Sequence, residues 1–458
     1  MVLEHFDLSG RTDYTELRRQ RNTMASVSLT NGNVTGNASQ EHAGVSARVW
    51  HAGAWGFASA GADDRGAIDR VVGAAGDNAR WLGTRAGRDL GALPSRPTSG
   101  VVQVFETSKP RWSRAQTVSF LRELDEHVAS RYPQVTARTV ALSCLDMHKQ
   151  LQTSDGAESD QLIPRTILAL VFTVVRNGEP VRLMEIHGGF GQLEDNFDDP
   201  TALHDAIAKQ VAHLERKAAG VYARAGTHDL VLDASLAGIL AHEAIGHTTE
   251  ADLVLGGSVA GDRVGQEVAT ELVSLTDFAH TALGQQCPVP VWVDDEGVEA
   301  QDVPIIEKGV LKGFMHTKET ALRFGVAPTG NARAFQYSDE PLVRMRNTSF
   351  LPGDSSLDDM IASVERGYYL VRPSNGQADA TSEFMFGVTL GYEIVDGKLG
   401  EAIKDTTISG VAFDVLRTVS MVSDDMQWEC GGMCGKKQPI PVGMGGPAIK
   451  CRAHLGGR

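Results

Sequence analysis

Short apolar runs joined by two-residue turns dominate the pattern of hydrophobic and polar positions. Residues 14–60 predict three strands in succession, and the continuous apolar run at residues 167–175 predicts a buried strand that pairs with residues 181–186. Turns of this kind join neighbouring strands into antiparallel hairpins. The five candidate turns are Asn31-Gly32, Ala52-Gly53, Asn177-Gly178, Lys308-Gly309 and Asp396-Gly397.

Four other segments are typical of helices. They are residues 65–80, 113–132, 200–219 and 354–365, and Asp354 opens the last of them as a candidate N-cap. The strands and helices together predict an α+β fold class, with N-terminal α/β modules that contain antiparallel sheets and a β-rich C-terminal domain. The hairpins disfavour a doubly wound parallel sheet.

Two loop-forming stretches indicate the domain boundaries. Residues 83–100, rich in Gly, Pro, Ser and Arg, separate two modules within an N-terminal domain predicted at residues 1–222. Residues 220–229 lead into a C-terminal domain predicted at residues 223–450. Residues 451–458 contain two glycines and show no apolar period, so they are predicted to form a flexible tail.

The 458-residue chain is acidic, because 43 Lys and Arg residues face 58 Asp and Glu residues, for a net charge of −15. This balance excludes a polycation that coats nucleic acid, and the aromatic content of 6% gives no support for a nucleic-acid surface. No apolar run approaches the roughly 20 residues of a membrane span, and no basic-then-apolar leader is present, so we expect a cytoplasmic protein. The five scattered cysteines argue against a disulfide framework.

One mostly apolar segment predicts a helix with Asp233 as its cap. This helix carries His242, Glu243 and His247, and a metal ion is the partner that satisfies two buried neutral imidazoles together. The two histidines are five residues apart, about 140° around a regular helix, and so cannot both reach one ion. We therefore predict a distorted helix, either with a one-residue π-bulge or with a loosened backbone at Gly246.

Two histidines need at least one further protein ligand to hold zinc. The sequence offers Cys430 and Cys434, which flank a glycine-rich turn, and Lys436 could stabilise a thiolate there. On the residues alone, a buried hydrogen-bonded histidine pair and a surface coincidence remain alternatives to a metal site. A redox role for the two cysteines is disfavoured, because their spacing is not that of a Cys-x-x-Cys motif.

Further motifs are spread along nearly the whole chain. They are Arg48-Val49-Trp50 to Trp55-Gly56-Phe57-Ala58, Leu232-Asp233 to His247, Val293-Asp294-Asp295-Glu296-Gly297, Gly309-Val310-Leu311-Lys312-Gly313, Pro328-Thr329-Gly330-Asn331, Leu351-Pro352-Gly353-Asp354 and Cys434-Gly435-Lys436. With them the sequence resembles the TldD/PmbA family of zinc metallopeptidases, and specifically its catalytic, TldD-like branch. The family motif, His-Glu-x-x-x-His plus a C-terminal cysteine, implies zinc held by His242, His247 and Cys434, with Glu243 as general base. Because Gly-Lys follows Cys434, the resemblance favours it over Cys430, which becomes a packed or partly exposed thiol.

The resemblance implies a zinc-dependent metallopeptidase or amide hydrolase that cleaves a short or unfolded peptide, or a peptide-like metabolite, with metal-activated water. It also implies a dimer that encloses the substrate, either a homodimer or a heterodimer with a PmbA-like relative. His316 and Tyr337 are candidates for an oxyanion or substrate contact in the C-terminal catalytic domain. The alternatives are a non-catalytic PmbA-like partner subunit, and a repurposed hydrolase that acts on a non-peptide C–N bond in specialised metabolism.

The sequence departs from the family pattern at two places. The turn after Lys436 is one residue shorter than the familiar one, although the contraction follows the candidate ligand and leaves it in place. Residues 376–384 lack the usual Asp-Pro and Ser-Gly pairs, and their family counterpart lies near the substrate path. These departures bear on substrate choice more than on the chemistry.

Overall fold

The computed structural model describes residues 6–8, 10–85, 90–378 and 381–457. Helices and strands are interspersed, and the strands form several sheets, which confirms the α+β fold class. The strands are β1 (Tyr14–Thr30), β2 (Asn33–His51), β3 (Ala54–Ala60), β4 (Val101–Val104), β5 (Val135–Thr153), β6 (Glu158–Arg176), β7 (Glu179–Phe190), β8 (Gly226–Leu232), β9 (Leu275–Phe278), β10 (Thr281–Ala282), β11 (Gln285–Gln286), β12 (Val303–Glu307), β13 (Val310–Leu311), β14 (Ala332–Arg333), β15 (Leu342–Val343), β16 (Asn347–Phe350), β17 (Arg366–Ala378), β18 (Glu383–Val395), β19 (Lys398–Ile403), β20 (Thr406–Val411), β21 (Met421–Val422), β22 (Gln427–Glu429), β23 (Met433–Cys434), β24 (Ile440–Pro441), β25 (Gly443–Gly446) and β26 (Ile449–Leu455).

The helices include the three predicted in the N-terminal half. The α-helices are α1 (Arg65–Gly83), α2 (Arg114–Arg131), α3 (Leu193–Asn196), α4 (His204–Ala219), α5 (Ala234–Ile239), α6 (Ala251–Leu255), α7 (Lys318–Phe324), α8 (Leu357–Ala362) and α9 (Ala412–Leu416), with 3₁₀ turns at Pro200–Leu203 and His247–Thr249 and a π-helical segment at Leu240–Gly246. The prediction of an Asp354 cap was wrong, because the side chain of Ser356 accepts the N–H of Asp359 and starts α8 at Leu357. Within the described ranges, no helix is long and apolar enough to cross a membrane.

All five predicted hairpin turns form. In each, the first turn residue has φ of 45–53° and the following glycine has φ of 73–83°. These left-handed pairs match the right-handed twist of the flanking strands, and glycine tolerates the second position without steric cost. The turns therefore set the register of the antiparallel sheets.

The N-terminal sheet has seven strands in the order β3-β2-β1-β5-β6-β4, and β7 also pairs with β6. Every pair in it is antiparallel except β4 with β6. Apolar side chains of α1 pack on β2, and those of α2 and α4 pack on β5, β6 and β7. The loop predicted at residues 83–100 lies between α1 and β4, and its residues 86–89 lie outside the described residues.

Two larger sheets build the C-terminal half. One has the order β13-β12-β9-β16-β25-β22, and the other has the order β17-β8-β26-β20-β18-β19. In the second sheet β17 also pairs with β18, so that five strands close into a ring. The segment from α5 through the π-helix lies in the large core of this half, where Leu236, Leu240, Ala244 and Ile245 are fully buried. Burial on all sides explains why this segment is so apolar.

The prediction of a flexible tail at residues 451–458 was wrong. Residues up to Leu455 belong to β26, which lies between β8 and β20 inside the second sheet. Cys451 and Ala453 are buried, whereas Arg452 and His454 are exposed. This alternation is the period-two pattern of a half-buried strand, and the small, polar residues around it conceal the pattern in the sequence.

Buried ion pairs join the N-terminal sheet to the C-terminal half. Lys149 Nζ of β5 lies 2.6 Å from Asp295 Oδ2, and Arg48 Nη1 of β2 lies 3.1 Å from Glu296 Oε1. Both pairs are largely shielded from solvent. Removing one partner would leave an uncompensated buried charge, so these pairs fix how the two halves meet.

Candidate metal centre

The helix that carries the two histidines is distorted as predicted. Asp233 caps α5 by accepting the N–H of Leu236, and the helix then widens into the π-helical segment Leu240–Gly246. The N–H of His247 donates to the carbonyl of His242, which is the five-residue closure of a π-turn. This closure brings residues five apart onto one face.

Gly246 is required for packing and not for an unusual backbone. Its φ of −55° and ψ of −54° are ordinary helical values, so the alternative of a loosened backbone at this residue was wrong. A Cβ at this position would lie 2.0 Å from Sδ of Met345, whose side chain is fully buried. The glycine therefore allows Met345 to pack directly against the π-turn.

The structure brings His242, His247 and Cys434 together. One candidate ligand atom from each lies within 4.8 Å of the other two. Cys434 Sγ lies 3.5 Å from His247 Nε2, and the two imidazole centroids are 5.1 Å apart at an interplanar angle of 78°. In a tetrahedral zinc site, a thiolate sulfur and an imidazole nitrogen are about 3.6 Å apart. The donor set and its spacing fit a zinc ion.

His242 gives a second indication of a missing partner. Its side chain is 1% exposed, and neither ring nitrogen has a hydrogen-bond partner among the residues that the structure describes. A buried polar atom without a partner is costly, so such atoms are rare in folded proteins. A metal ion between His242, His247 and Cys434 would satisfy one of these nitrogens.

The electrostatics favour a thiolate at Cys434. Burial opposes ionisation, but the adjacent imidazoles of His242 and His247 outweigh it and lower the pKa of the Cys434 thiol to about 3. Burial also opposes the charged form of His247, whereas the Glu250 carboxylate and the Cys434 sulfur raise the pKa of that imidazole to about 10. A site that stabilises a thiolate is suited to a divalent cation.

Glu243 lies at the edge of the cluster. Its Oε2 is 3.7 Å from His247 Nε2, and its side chain is 20% exposed, so it faces both the candidate ligands and the solvent. Strand β17 passes beside it, because a Cβ at Gly376 would lie 3.3 Å from Glu243 Cγ. Residues 376–384 therefore begin next to Glu243, and residues 379 and 380 of this segment lie outside the described residues.

A buried hairpin presents Cys434. Strands β23 and β24 pair antiparallel, and the fully buried Arg344 donates to the carbonyls of Cys434, Lys436 and Gln438. The shortened turn closes at Lys437, which has φ of 57°, while the N–H of Gln438 donates to the carbonyl of Lys436. The contraction therefore leaves the position of Cys434 intact.

Glu250 is a functional candidate that the sequence analysis missed. Its Oε2 lies 2.7 Å from His247 Nδ1, and its Oε1 lies 3.1 Å from Lys436 Nζ. A carboxylate on the outer nitrogen of a metal-binding histidine fixes the orientation and basicity of the ring. Lys436 contacts Glu250 and Asp252 in this arrangement, and its support of the Cys434 thiolate stays a prediction. The three-residue spacing from His247 to Glu250 was the available signal.

Cys430 lies apart from this cluster. It is half-buried, and burial raises the pKa of its thiol. Its carbonyl accepts from Arg165, and its Cβ lies 3.4 Å from where a Cβ at Gly189 would be. These contacts place Cys430 against the N-terminal sheet, as a packed thiol.

His316 and Tyr337 have other surroundings. Nδ1 of the buried His316 ring lies 3.3 Å from Thr320 Oγ1. The centroid of the ring lies 5.3 Å from the centroid of Phe324. Burial lowers the pKa of His316 to about 4, so the ring is neutral. Tyr337 lies over strand β2, where a Cβ at Gly44 would be 2.7 Å from its Cδ2. A role for either in oxyanion binding stays a prediction.

Comparison with known proteins places the chain in a family. The family model described as PmbA/TldA metallopeptidase C-terminal domain matches residues 225–455, and the model described as PmbA/TldA metallopeptidase domain 1 matches residues 15–79. A metalloprotease of Methanothermobacter thermautotrophicus is 30% identical over 98% of this chain and 97% of its own length. A zinc metalloprotease TldD homolog of Saccharolobus solfataricus is 31% identical over 74% of this chain and 75% of its own.

A solved structure shows the same fold. A putative modulator of a DNA gyrase from Thermotoga maritima superposes with a TM-score of 0.78 at 18% identity, over 97% of this chain and 96% of that one. At this identity the likeness speaks for the fold alone. Together with the two family models and the relatives at 30% identity or more, it shows that the chain belongs to the TldD/PmbA family of metallopeptidases.

Proposed function

We propose that this chain is a zinc-dependent peptidase that hydrolyses an amide bond in a short or unfolded peptide, or in a peptide-like metabolite. The observation that carries the proposal is the convergence of two imidazoles and a thiol at the spacing of a tetrahedral zinc site, with a carboxylate beside them. The name of the Saccharolobus relative supports zinc as the metal. Three protein ligands, and not four, are typical of a catalytic zinc site, because the fourth position stays open to water.

His242, His247 and Cys434 would hold the ion. Zinc in such a site supplies a Lewis acid, which lowers the pKa of water to about 7 and polarises a carbonyl. Glu250 would keep His247 oriented, because its carboxylate is 2.7 Å from the outer ring nitrogen. Arg344 would keep Cys434 in place through three carbonyls of its hairpin.

Glu243 is the general base in this proposal. It would take a proton from the attacking water and deliver it to the nitrogen of the leaving amine, so that the C–N bond breaks without release of an amide anion. Its partial exposure, together with its position beside the candidate ligands, suits a group that must meet both water and substrate. His242 and Cys434 are almost fully buried, so the substrate must present an extended segment to a recessed site.

A single substitution tests the proposal. Glu243→Gln should retain zinc and lose peptide hydrolysis by about 10²- to 10⁴-fold, because it removes the base and leaves the ligands unchanged. Glu365→Gln, at an exposed glutamate far along the chain from the metal centre, is the matched control and should keep full turnover. Hydrolysis of a mixed peptide pool is followed by mass spectrometry. Unimpaired hydrolysis by Glu243→Gln would remove this residue from the mechanism.

A dimer, with a second copy or with a PmbA-like relative, remains part of the proposal. Sedimentation of the purified chain alone should show two copies if the homodimer is correct. A monomer that becomes active only after addition of a PmbA-like chain would favour the heterodimer.

A further inference from the structure

An open pocket lies next to the metal centre, at the junction of the two halves of the molecule. It is open to solvent and has a cavity volume of about 140 Å³. Its apolar walls are Met184 and Ile186 of β7, Ile239 at the end of α5, and Met444 of β25. The N-terminal sheet and the C-terminal half therefore both contribute residues to the pocket.

The pocket is one helical turn from Glu243. Ile239 precedes Glu243 by four residues, and both side chains border the same point of β17, since a Cβ at Gly376 would lie 3.0 Å from Ile239 Cδ1 and 3.3 Å from Glu243 Cγ. Four residues of an α-helix rise about 6 Å, and the wider π-turn that begins at Leu240 rises no more than that. An extended peptide advances about 3.3–3.6 Å per residue, so one or two residues span this distance.

The space at the base of the pocket depends on two glycines. A Cβ at Gly431 would lie 2.7 Å from Ile186 Cδ1, and a Cβ at Gly432 would lie 2.8 Å from Met444 Cε. Side chains at these positions would therefore push against the two apolar walls. The same glycines lead directly into the hairpin of Cys434, which connects the pocket to the metal centre through the backbone.

Arg372, the one cation among the described residues that line the pocket, is already paired with the lining carboxylate of Glu429 and with Glu185 behind it. Arg372 donates to Glu185 at 3.1 Å, to Glu429 at 2.9 Å and to Ser235 at 3.1 Å. One guanidinium thus faces two carboxylates, and its donors are directed at them. An acidic side chain that entered the pocket would meet the Glu429 carboxylate and a guanidinium whose donors are already engaged, whereas an apolar side chain would meet Met184, Ile186 and Met444.

We propose that this pocket is the subsite for an apolar side chain of the peptide, one or two residues from the bond that is cleaved. The inference rests on the proposed peptidase function and adds a substrate preference to it. Two methionines in the walls allow several shapes, so leucine, methionine and phenylalanine should all be accepted. Acidic residues should be rejected at the same position.

A series of synthetic peptides tests the preference. The peptides share one sequence, and within each set a single residue is varied. This residue lies one or two positions before or after the cleaved bond and is Leu, Met, Phe, Ala or Glu. At one such position, kcat/KM should be about ten- to a hundredfold higher for the large apolar residues than for Ala, as expected from burial of their side chains. The Glu peptide should be the poorest. Affinity of the same peptides for Glu243→Gln, measured by fluorescence anisotropy, should follow the same order.

Variants of the exposed wall residue make the assignment specific. Met184→Trp should reduce the preference for Phe over Ala by about tenfold, because the indole occupies part of the pocket. Met184→Lys should raise the relative rate of the Glu peptide by adding a cation. Val175→Trp, on the neighbouring strand β6 at a residue that is 54% exposed, is the matched control and should change neither ratio.

The outcomes separate the two proposals. Hydrolysis with equal rates for all side chains, and ratios that Met184→Trp leaves unchanged, would overturn the subsite and leave the peptidase function standing. Failure of the zinc-loaded wild type to hydrolyse any peptide, both alone and with a PmbA-like chain added, would overturn the function and the subsite together. A preference that shifts with Met184→Trp and not with Val175→Trp supports the subsite.

Discussion

The N–H of His247 donates to the carbonyl of His242, five residues earlier, so that one turn of π-helix separates the two imidazoles. A regular α-helix would place residues five apart at about 140° around its axis. The π-turn removes that separation, and the two imidazole centroids lie 5.1 Å apart as a result. The geometry of the proposed metal site therefore depends on a backbone distortion that neighbouring residues must maintain.

Gly246→Ala should disturb this turn. The new methyl group would lie 2.0 Å from Sδ of the buried Met345, so we expect a loss of about 1–3 kcal/mol in the free energy of unfolding, together with reduced zinc content. In a Met345→Ala background the same change should cost less, since the clash is gone. Urea denaturation and metal analysis provide the measurements.

Gly73→Ala is the matched control for that substitution. Gly73 lies on the exposed side of α1, and a Cβ there would meet no described atom within 4 Å beyond the adjoining backbone of its own helix. Alanine should therefore stabilise the helix by about 0.5–1 kcal/mol. If Gly246→Ala behaved like Gly73→Ala and kept its zinc, the packing role of Gly246 would be wrong.

Glu250→Gln should weaken zinc binding by about 10- to 100-fold, the range measured for outer-shell partners of metal-binding histidines. The amide retains a similar shape but cannot supply the negative charge 2.7 Å from His247 Nδ1. Asp252→Asn serves as the control, because Asp252 shares Lys436 with Glu250. Competition with a chromogenic chelator gives both affinities. Equal losses in the two variants would mean that the local charge balance matters and the contact with His247 does not.

Glu16→Gln should change how stability depends on pH. Burial raises the pKa of Glu16 to about 8, against the smaller opposing effect of Arg48, so the folded protein keeps this carboxyl protonated where the unfolded chain ionises it. The buried, protonated carboxyl of Glu16 makes its full contribution to stability below pH 4.5, and this contribution is lost as pH rises towards 8. The glutamine variant lacks this loss, so its free energy of unfolding should exceed that of the wild type by more at pH 8 than at pH 5.

An exposed glutamate controls for general charge effects in that experiment. Glu41 is 55% exposed, and Glu41→Gln should shift stability equally at both pH values. Urea denaturation at pH 5 and pH 8 measures all three proteins. If the difference in the free energy of unfolding between wild type and Glu16→Gln were the same at pH 5 and pH 8, the protonated state of the buried Glu16 would be wrong.

The sequence predicted those features that local chemistry determines. The pairs Asn31-Gly32 and Asn177-Gly178 adopt left-handed conformations that few other residues tolerate, so the hairpins could be placed from sequence. The five-residue spacing of His242 and His247 indicated a distorted helix, because a regular one cannot bring them to one ion. Both inferences needed only the geometry of a few neighbouring residues.

Features that depend on distant contacts were not predicted. The terminal nitrogens of the fully buried Arg344 donate to three carbonyls of the Cys434 hairpin, about ninety residues later in the chain. Strand β26 forms because β8 and β20 offer edges on both sides, although Cys451 and Ala453 give it only a weak apolar period. Tertiary context therefore overrides local preference at these positions.

The zinc content of matched cysteine variants tests the central claim most directly. Wild type and Cys430→Ala, purified without chelators, should each carry about one zinc ion per chain, because neither change touches the three ligands. Cys434→Ala should carry almost none while its circular dichroism spectrum stays that of a folded protein. Full zinc content in Cys434→Ala, or its loss in Cys430→Ala, would contradict the assignment of His242, His247 and Cys434 as the metal site.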